Sequence, residues 1–188
     1  MTTPSLFFAT SNDYKFAEFS RLFGAAGLQI DHYRLEVEEV QHIEMDVIVR
    51  DKALKAYQRV RRPVLVDHSG LAMNALNGLP CGLNKLFWNV LQDRICELAI
   101  AMNDPTAEIL VSLALCDGKR IHAWHERLPG NLAAKASAVG TFHLDRVFVP
   151  NGSTMTLAEM STVDRDVVSH RRRAVDHTSA VLKSLAVL

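Results

Sequence analysis

Three groups of residues in this 188-residue chain carry side chains that could do chemistry. The first is Thr10-Ser11-Asn12-Asp13-Tyr14-Lys15, between a short apolar run and a helical pattern. Backbone N–H groups, a helix dipole and a lysine converge there, which suits phosphate. The stretch lacks the glycines of a Walker loop, and an N-cap beside a solvated lysine explains the same residues. The second group is Glu38, Glu39 and Asp67. One or two carboxylates completed by substrate phosphates and water is how Mg²⁺ is commonly held. Glu38 and Glu39 read equally as a solvated acidic face, whereas Asp67 directly follows the apolar run Val64-Leu65-Val66, where open α/β sheets place their sites. The third is Asp164 to Arg173, in which Arg165, Ser169, His170 and Arg171 cluster near a helix start. Guanidinium forks grip phosphates and purine carbonyl oxygens, although surface arginines at a helix start are the plainer alternative.

Two other chemistries are excluded. Neither Ser69 nor Ser169 sits in the Gly-x-Ser-x-Gly elbow of a serine hydrolase. His122 and His125 are three residues apart on a strand-like stretch, so they point to opposite faces and form no ligand pair.

The elements that must position these residues follow from periodicity. Leu6 to Ala9 reads as a strand, and Phe16, Phe19, Leu22 and Phe23 as one face of a helix closed by Gly24 and Gly27. Leu28 to Leu35 alternates as a second strand, and a helix from Val47 to about Arg61 is stopped by Pro63. Val64 to Val66 predicts a strand ending in a turn at Asp67-His68-Ser69-Gly70. A loop over Asn77 to Gly82 leads into the longest predicted helix, Leu83 to Met102. From Glu108 the period becomes two, and Asp117-Gly118 turns the chain into Arg120 to Arg127, a β-hairpin signal. Phe142 to Val149 is a further strand and Ala174 to Leu188 a closing helix. The result is a mixed α/β chain in a single domain.

Composition narrows the partners. The 21 Lys+Arg balance 21 Asp+Glu, and no basic block exceeds Arg171-Arg172-Arg173, so the counterion release that drives nucleic-acid binding is lacking. No window reaches the roughly 18 apolar residues of a membrane span, and the opening residues lack the pattern of a secretion signal, so the expectation is a soluble cytoplasmic protein. Cys81, Cys96 and Cys116 are an odd, widely spaced set, read as free thiols in a reducing compartment.

Taken in order, the segments resemble the non-canonical purine nucleoside triphosphate pyrophosphatases, the inosine or xanthosine triphosphate pyrophosphatase family. Phe8 to Glu18 is similar to that family's Thr/Ser-Gly-Asn-x-x-Lys-x-x-Glu, and Glu39-Val40-Gln41 with Lys52-Ala53 to its Glu-x-Gln and Lys-Ala segments. Val66 to Leu71 and Asn74 to Pro80 resemble its Glu/Asp-Asp-Ser/Thr-Gly-Leu and Ala-Leu-Gly-Gly-x-Pro-Gly segments. Phe142 to Pro150, Thr156 to Met160 and Ser169 to Ala174 resemble Phe-Gly-Tyr-Asp-Pro-x-Phe-x-Pro, Thr-x-Ala-Glu-Met and Ser-His-Arg-x-x-Ala. The resemblance implies a two-lobed α/β protein with a long curved mixed sheet, usually a homodimer. A purine triphosphate and Mg²⁺ would lie in a central cleft within one domain spanning residues 1–188, and cleavage would give monophosphate and pyrophosphate. It also implies that Thr10, Asn12, Lys15, Lys52, Ser69 and Arg165 contact the triphosphate, and that Glu39 and Asp67 hold the metal. Phe142 would stack on the base, with Asp145, Ser169, His170 and Arg171 around its edge. Arginine and imidazolium donors there favour a 6-oxopurine such as hypoxanthine or xanthine over adenine.

Departures from the family pattern concentrate at the reacting centre and the base. His68 replaces an aspartate expected to bind metal or activate water. Three consequences are open: His68 acts as general base beside Asp67, the metal preference moves from Mg²⁺ toward Mn²⁺, or the protein is an impaired paralogue that binds or senses a purine nucleotide. Cys81, His143, Leu144 and Arg146 replace a glycine, a glycine, an aromatic and a proline, and Glu126 stands at a usual glycine.

Overall fold

The computed structural model describes residues 6–140 and 142–184. Strand β1 (Leu6–Ala9) enters helix α1 (Asp13–Ala25), whose first turn is capped by the Asn12 side chain accepting from the Lys15 N–H. Phe19, Leu22 and Phe23 turn one stripe of α1 inward. After β2 (Ile30–Tyr33), helix α2 (Met45–Val60) ends on Arg61, whose φ of 56° is left-handed, just before Pro63.

Strand β3 (Val64–Met73) corrects the first expectation, because the predicted turn at Asp67-His68-Ser69-Gly70 is continuous strand. The polar run stays extended because β5 (Thr106–Cys116) pairs with it along its whole length, from Val64 opposite Cys116 to Met73 opposite Ala107. Ladder bonds satisfy the backbone, so the polar side chains can be buried in mid-sheet. Gly70 is required there, since a Cβ would stand 2.8 Å from the Met45 sulfur and 2.9 Å from the Cys81 carbonyl.

β4 (Pro80–Cys81) pairs with β3. The single long helix expected over Leu83 to Met102 is instead α3 (Asn84–Leu91), one 3₁₀ turn and α4 (Ile95–Ala101). The break falls at Gln92, where φ is 49°. Apolar spacing is the same on both sides of that break, which is why periodicity does not reveal it.

β6 (Ile121–Leu132) completes the predicted hairpin with β5. The Phe142 to Val149 strand is a third correction: α5 (His143–Val147) is helical, and only β7 (Phe148–Pro150) is extended. Leu144, Val147 and Phe148 are buried at the i, i+3, i+4 spacing of a helix turn, but a run of five residues is too short for that period to stand out in sequence. Helix α6 (Thr162–Val168) precedes α7 (His170–Ser184); the last four residues of the expected closing helix lie outside the described residues.

The sheet runs β2-β1-β3-β5-β6-β7, parallel between β2, β1 and β3 and antiparallel beyond, with β4 against β3. One core joins α1 and α7 to the sheet through Phe8, Phe19, Phe23, Leu113, Val175 and Leu182. A second packs α2 on the opposite face through Val49, Ala53, Ala56 and Val66. A third gathers Trp88, Ile95, Ile109, Leu144 and Phe148 around the distal ends of β3, β5 and β6. Glu126, unexplained by sequence, ties β6 to α7 by accepting from Arg173 Nε at 3.1 Å and lying 2.9 Å from His177 Nδ1. No helix among the described residues is long and apolar enough to cross a membrane.

Candidate active site

β1 and β3 are adjacent and parallel, so the turn into α1 and the buried middle of β3 open on one place. A cavity of about 260 Å³ lies there. Its lining includes Thr10, Asn12, Lys15, Glu39, Lys52, His68, Ser69 and Phe142, eight of the residues singled out from sequence. The loop into α1 is held by its own hydroxyl and amide: the Asn12 N–H donates to Thr10 Oγ1 at 3.1 Å, and Asn12 caps the helix. The helix start and Lys15 are thereby fixed toward the cavity.

Two lysines neutralise two carboxylates across this space. Lys15 Nζ lies 2.7 Å from Asp67 Oδ2, and Lys52 Nζ lies 2.7 Å from Glu39 Oε1 while also donating to the Asp67 carbonyl at 2.9 Å. Burial pushes the Asp67 carboxyl up, but Lys15 and Lys52 outweigh it and hold Asp67 below the ordinary range. Burial likewise opposes ionisation of Glu39, and His68 with Lys52 overcomes it. Both acids are anionic at neutral pH. Asp67 Oδ1 and Ser69 Oγ are buried with no hydrogen-bond partner. Such orphans each cost roughly 1–3 kcal/mol unless something arrives to pair them.

His68 is buried between these groups and the α3 loop. Its Nε2 is 2.9 Å from the Gly82 carbonyl, which can only accept, so Nε2 donates to it. Its Nδ1 is 3.7 Å from Glu39 Oε1, turned to the same carboxylate that Lys52 holds. The Gly82 carbonyl is itself pinned, because the Gly82 N–H donates to Ile43 O at 2.9 Å and a Cβ would meet His42 O and Ile48 Cδ1 at 2.5 Å.

Asp145, Arg165, Ser169, His170 and Arg171 form a neighbouring cluster on α5, α6 and α7. Asp145 is buried and accepts from the Tyr14 hydroxyl at 2.9 Å and Arg165 Nη1 at 3.4 Å. Burial and the nearby acids raise its pKa despite Arg171. Arg171 Nη1 donates to Glu18 at 2.6 Å, and its guanidinium carbon sits 4.5 Å from the centre of the Phe142 ring. Ser169 Oγ accepts from the Arg172 N–H as an N-cap of α7, so helix capping already uses that hydroxyl. Burial, then Arg171 and Arg173, push His170 far below the usual histidine range. The imidazolium expected there is a neutral imidazole. Asp145 Oδ1, Arg165 Nε, His170 Nδ1 and Arg171 Nε are buried without a hydrogen bond, Asp145 Oδ1 lying 3.9 Å from Arg171 Nη1.

Sequence reasoning missed the contribution of α3. Asn84, Lys85, Trp88 and Asn89 also line the cavity. Lys85 stands in the first turn of α3 as Lys15 stands in the first turn of α1. That repetition was a visible signal, hidden by reading Leu83 to Met102 as one amphipathic core helix.

Among the described residues no cluster of three or more His, Cys, Asp or Glu side chains could hold a metal ion alone. The donor set nevertheless suits a hard cation completed by phosphate oxygens: Glu39 in the cavity lining, and Asp67 fully buried with an Oδ1 that lacks a hydrogen bond.

A family model described as the Ham1 family matches residues 6–181. The dITP/XTP pyrophosphatase of Saccharolobus solfataricus is 31% identical over 176 residues, covering 93% of this chain and 92% of that protein. The inosine triphosphate pyrophosphatase of Aspergillus fumigatus is 32% identical over 176 residues, covering 92% and 91%. Among solved structures, a HAM1 protein from Coxiella burnetii superposes with a TM-score of 0.79 at 24% identity, covering 96% of this chain and 98% of that one.

Proposed function

The chain belongs to the Ham1 family, and on that premise we propose that it hydrolyses a non-standard purine nucleoside triphosphate, of the ITP, dITP or XTP kind, to the monophosphate and pyrophosphate. One observation carries the reading: the Lys15–Asp67 and Lys52–Glu39 pairs flank a cavity-lining histidine whose Nδ1 is turned to Glu39. Lys15 and Lys52, with the Thr10–Asn12 turn and Ser69, bind the triphosphate. Glu39 and Asp67 are the residues that would hold Mg²⁺, with Mn²⁺ an alternative that imidazole favours; the ion would neutralise charge on the phosphates.

His68 Nδ1 accepts the proton of the water that attacks the linkage between the α- and β-phosphates. The Gly82 carbonyl stabilises the imidazolium through Nε2–H, as an orienting acceptor does for a catalytic histidine. Phe142, Asp145, Arg165, His170 and Arg171 receive the base and its flanking phosphate. In this reading the protein is a cytoplasmic homodimer with two lobes about one cleft, a supposition supported by the family alone.

The test is quantification of monophosphate, pyrophosphate and orthophosphate from ITP, dITP, XTP and the standard nucleotides, with Mg²⁺ and Mn²⁺ in parallel. Stoichiometric monophosphate and pyrophosphate from the 6-oxopurines lacking a 2-amino group is the expected result. Orthophosphate as the product, or nucleotide binding without turnover in either metal, overturns it.

A further inference from the structure

The Tyr14 ring lies against Phe142, with centroids 5.0 Å apart and planes tilted by 12°. Its hydroxyl donates to Asp145 Oδ2 at 2.9 Å and accepts from Arg165 Nη1 at 2.9 Å. A 6-oxopurine presents the same features to a protein: a flat ring, an N–H donor and, beside it, a carbonyl acceptor. Tyr14 therefore makes the contacts that a bound base would make to Phe142, Asp145 and Arg165. Two rings at this spacing leave no room for a third between them.

The cavity has the shape this predicts. It reaches Phe142, but neither Asp145 nor Arg165 is among its lining residues. Its volume of about 260 Å³ falls short of the roughly 300–1,000 Å³ typical of small-molecule sites. The phosphate end is open while the base end is filled from within. Asp145 Oδ1 and Arg165 Nε stay buried without a hydrogen bond, polar atoms that the tyrosine, with one hydroxyl, does not satisfy.

We propose that Tyr14 is an internal stand-in for the base, occupying the face of Phe142 and the Asp145 carboxylate until a nucleotide displaces it. The inference rests on the base-site reading above. Because α1 fixes the Tyr14 backbone at the second residue of the helix, displacement is a rotation of the side chain and leaves Lys15 in place. Tyr14 thus opposes binding through the base and not through the phosphates, and raises the affinity that a nucleobase must supply before the site closes on it. An occluded site weakens apparent binding by the fraction of molecules that are open.

The test compares wild type, Tyr14→Ala and Tyr14→Phe by calorimetry in Mg²⁺, with two probes: the non-hydrolysable α,β-methylene analogue of inosine triphosphate, and inorganic tripolyphosphate. If the ring is in place about nine-tenths of the time, Tyr14→Ala binds the inosine analogue about tenfold more tightly and tripolyphosphate no differently. Tyr14→Phe keeps the stack without the hydroxyl bonds and gives a smaller gain, so the test survives a misfolded alanine variant. Unchanged or weaker analogue binding in both variants overturns the proposal and makes Tyr14 inert or a wall of the slot. Equal tightening of both probes also overturns it, as a general loosening. Wild type that binds tripolyphosphate but no more tightly when a purine is attached removes the base-site reading itself, and this inference with it.

Discussion

At the scale of single residues, the question is whether His68 is a damaged aspartate or a working part. The geometry favours a working part, because its surroundings are built for imidazole. The Gly82 carbonyl points at Nε2 from 2.9 Å, and a carboxylate placed there would set oxygen against oxygen. His68→Asp is therefore expected to lower kcat in Mg²⁺ rather than restore a stronger enzyme. His68→Asn, which keeps a polar side chain but takes up no proton, is expected to lose about 10²–10⁴-fold in kcat with a much smaller change in KM. Steady-state kinetics in Mg²⁺ and Mn²⁺ check both. A faster His68→Asp enzyme would mean that the histidine is a defect. Lys15 was legible in sequence because a helix start is a local feature, and Asp67 and His68 because they follow an apolar β-branched run, although the strand continues through them. The Gly82 contact was not, since it joins residues 14 apart through a loop that only tertiary packing defines.

At the scale of elements, α6 is the weakest part of the site. It has no buried residue, Val163 and Val167 are 75% and 81% exposed, and it carries Arg165. Besides the Arg165–Tyr14 hydrogen bond, it is tied to α1 by the fork of Arg21 on Asp166, two bonds of 2.6 Å each. Asp166→Asn weakens this fork without touching any cavity residue. A partly exposed ion pair is worth about 0.2–1 kcal/mol, so the expected outcome is a rise in KM of up to about fivefold with global stability little changed. Kinetics paired with urea unfolding separate the two, and a large loss of stability with unchanged KM would show that the fork is structural only. The sequence showed the helix start at Ser161-Thr162 no more clearly than it showed the break at Gln92 or the helical turn of α5. The five residues of α5 are too few for a period to stand out, and a left-handed residue such as Gln92 leaves no mark when it is not glycine. The elements that were read correctly, β1, α1, α2 and the β5–β6 hairpin, have either a cap, a proline stop or a glycine turn at their ends.

At the scale of the whole molecule, three cores meet along β3, β5 and β6, and the two lysine–carboxylate pairs lie where strand β3 passes between them. Without substrate the lysines serve as counterions to Asp67 and Glu39. A triphosphate arriving alone would draw the lysines away and leave two anionic carboxylates buried beside further negative charge, which is costly. A cation arriving alone would meet carboxylates already neutralised and would crowd two ammonium groups. Arriving together, phosphate takes the lysines and the cation takes the carboxylates, so each removes the cost of the other. By linkage the coupling is reciprocal. Thermal unfolding therefore is expected to show a small rise in Tm with either Mg²⁺ or tripolyphosphate and a joint rise clearly larger than their sum. Glu39→Gln removes one of the two anions, so tripolyphosphate alone stabilises it more than it does wild type, while the cooperativity with Mg²⁺ shrinks. Additive shifts in wild type would mean that the lysines and carboxylates are a static structural network and that their charges are not exchanged on binding.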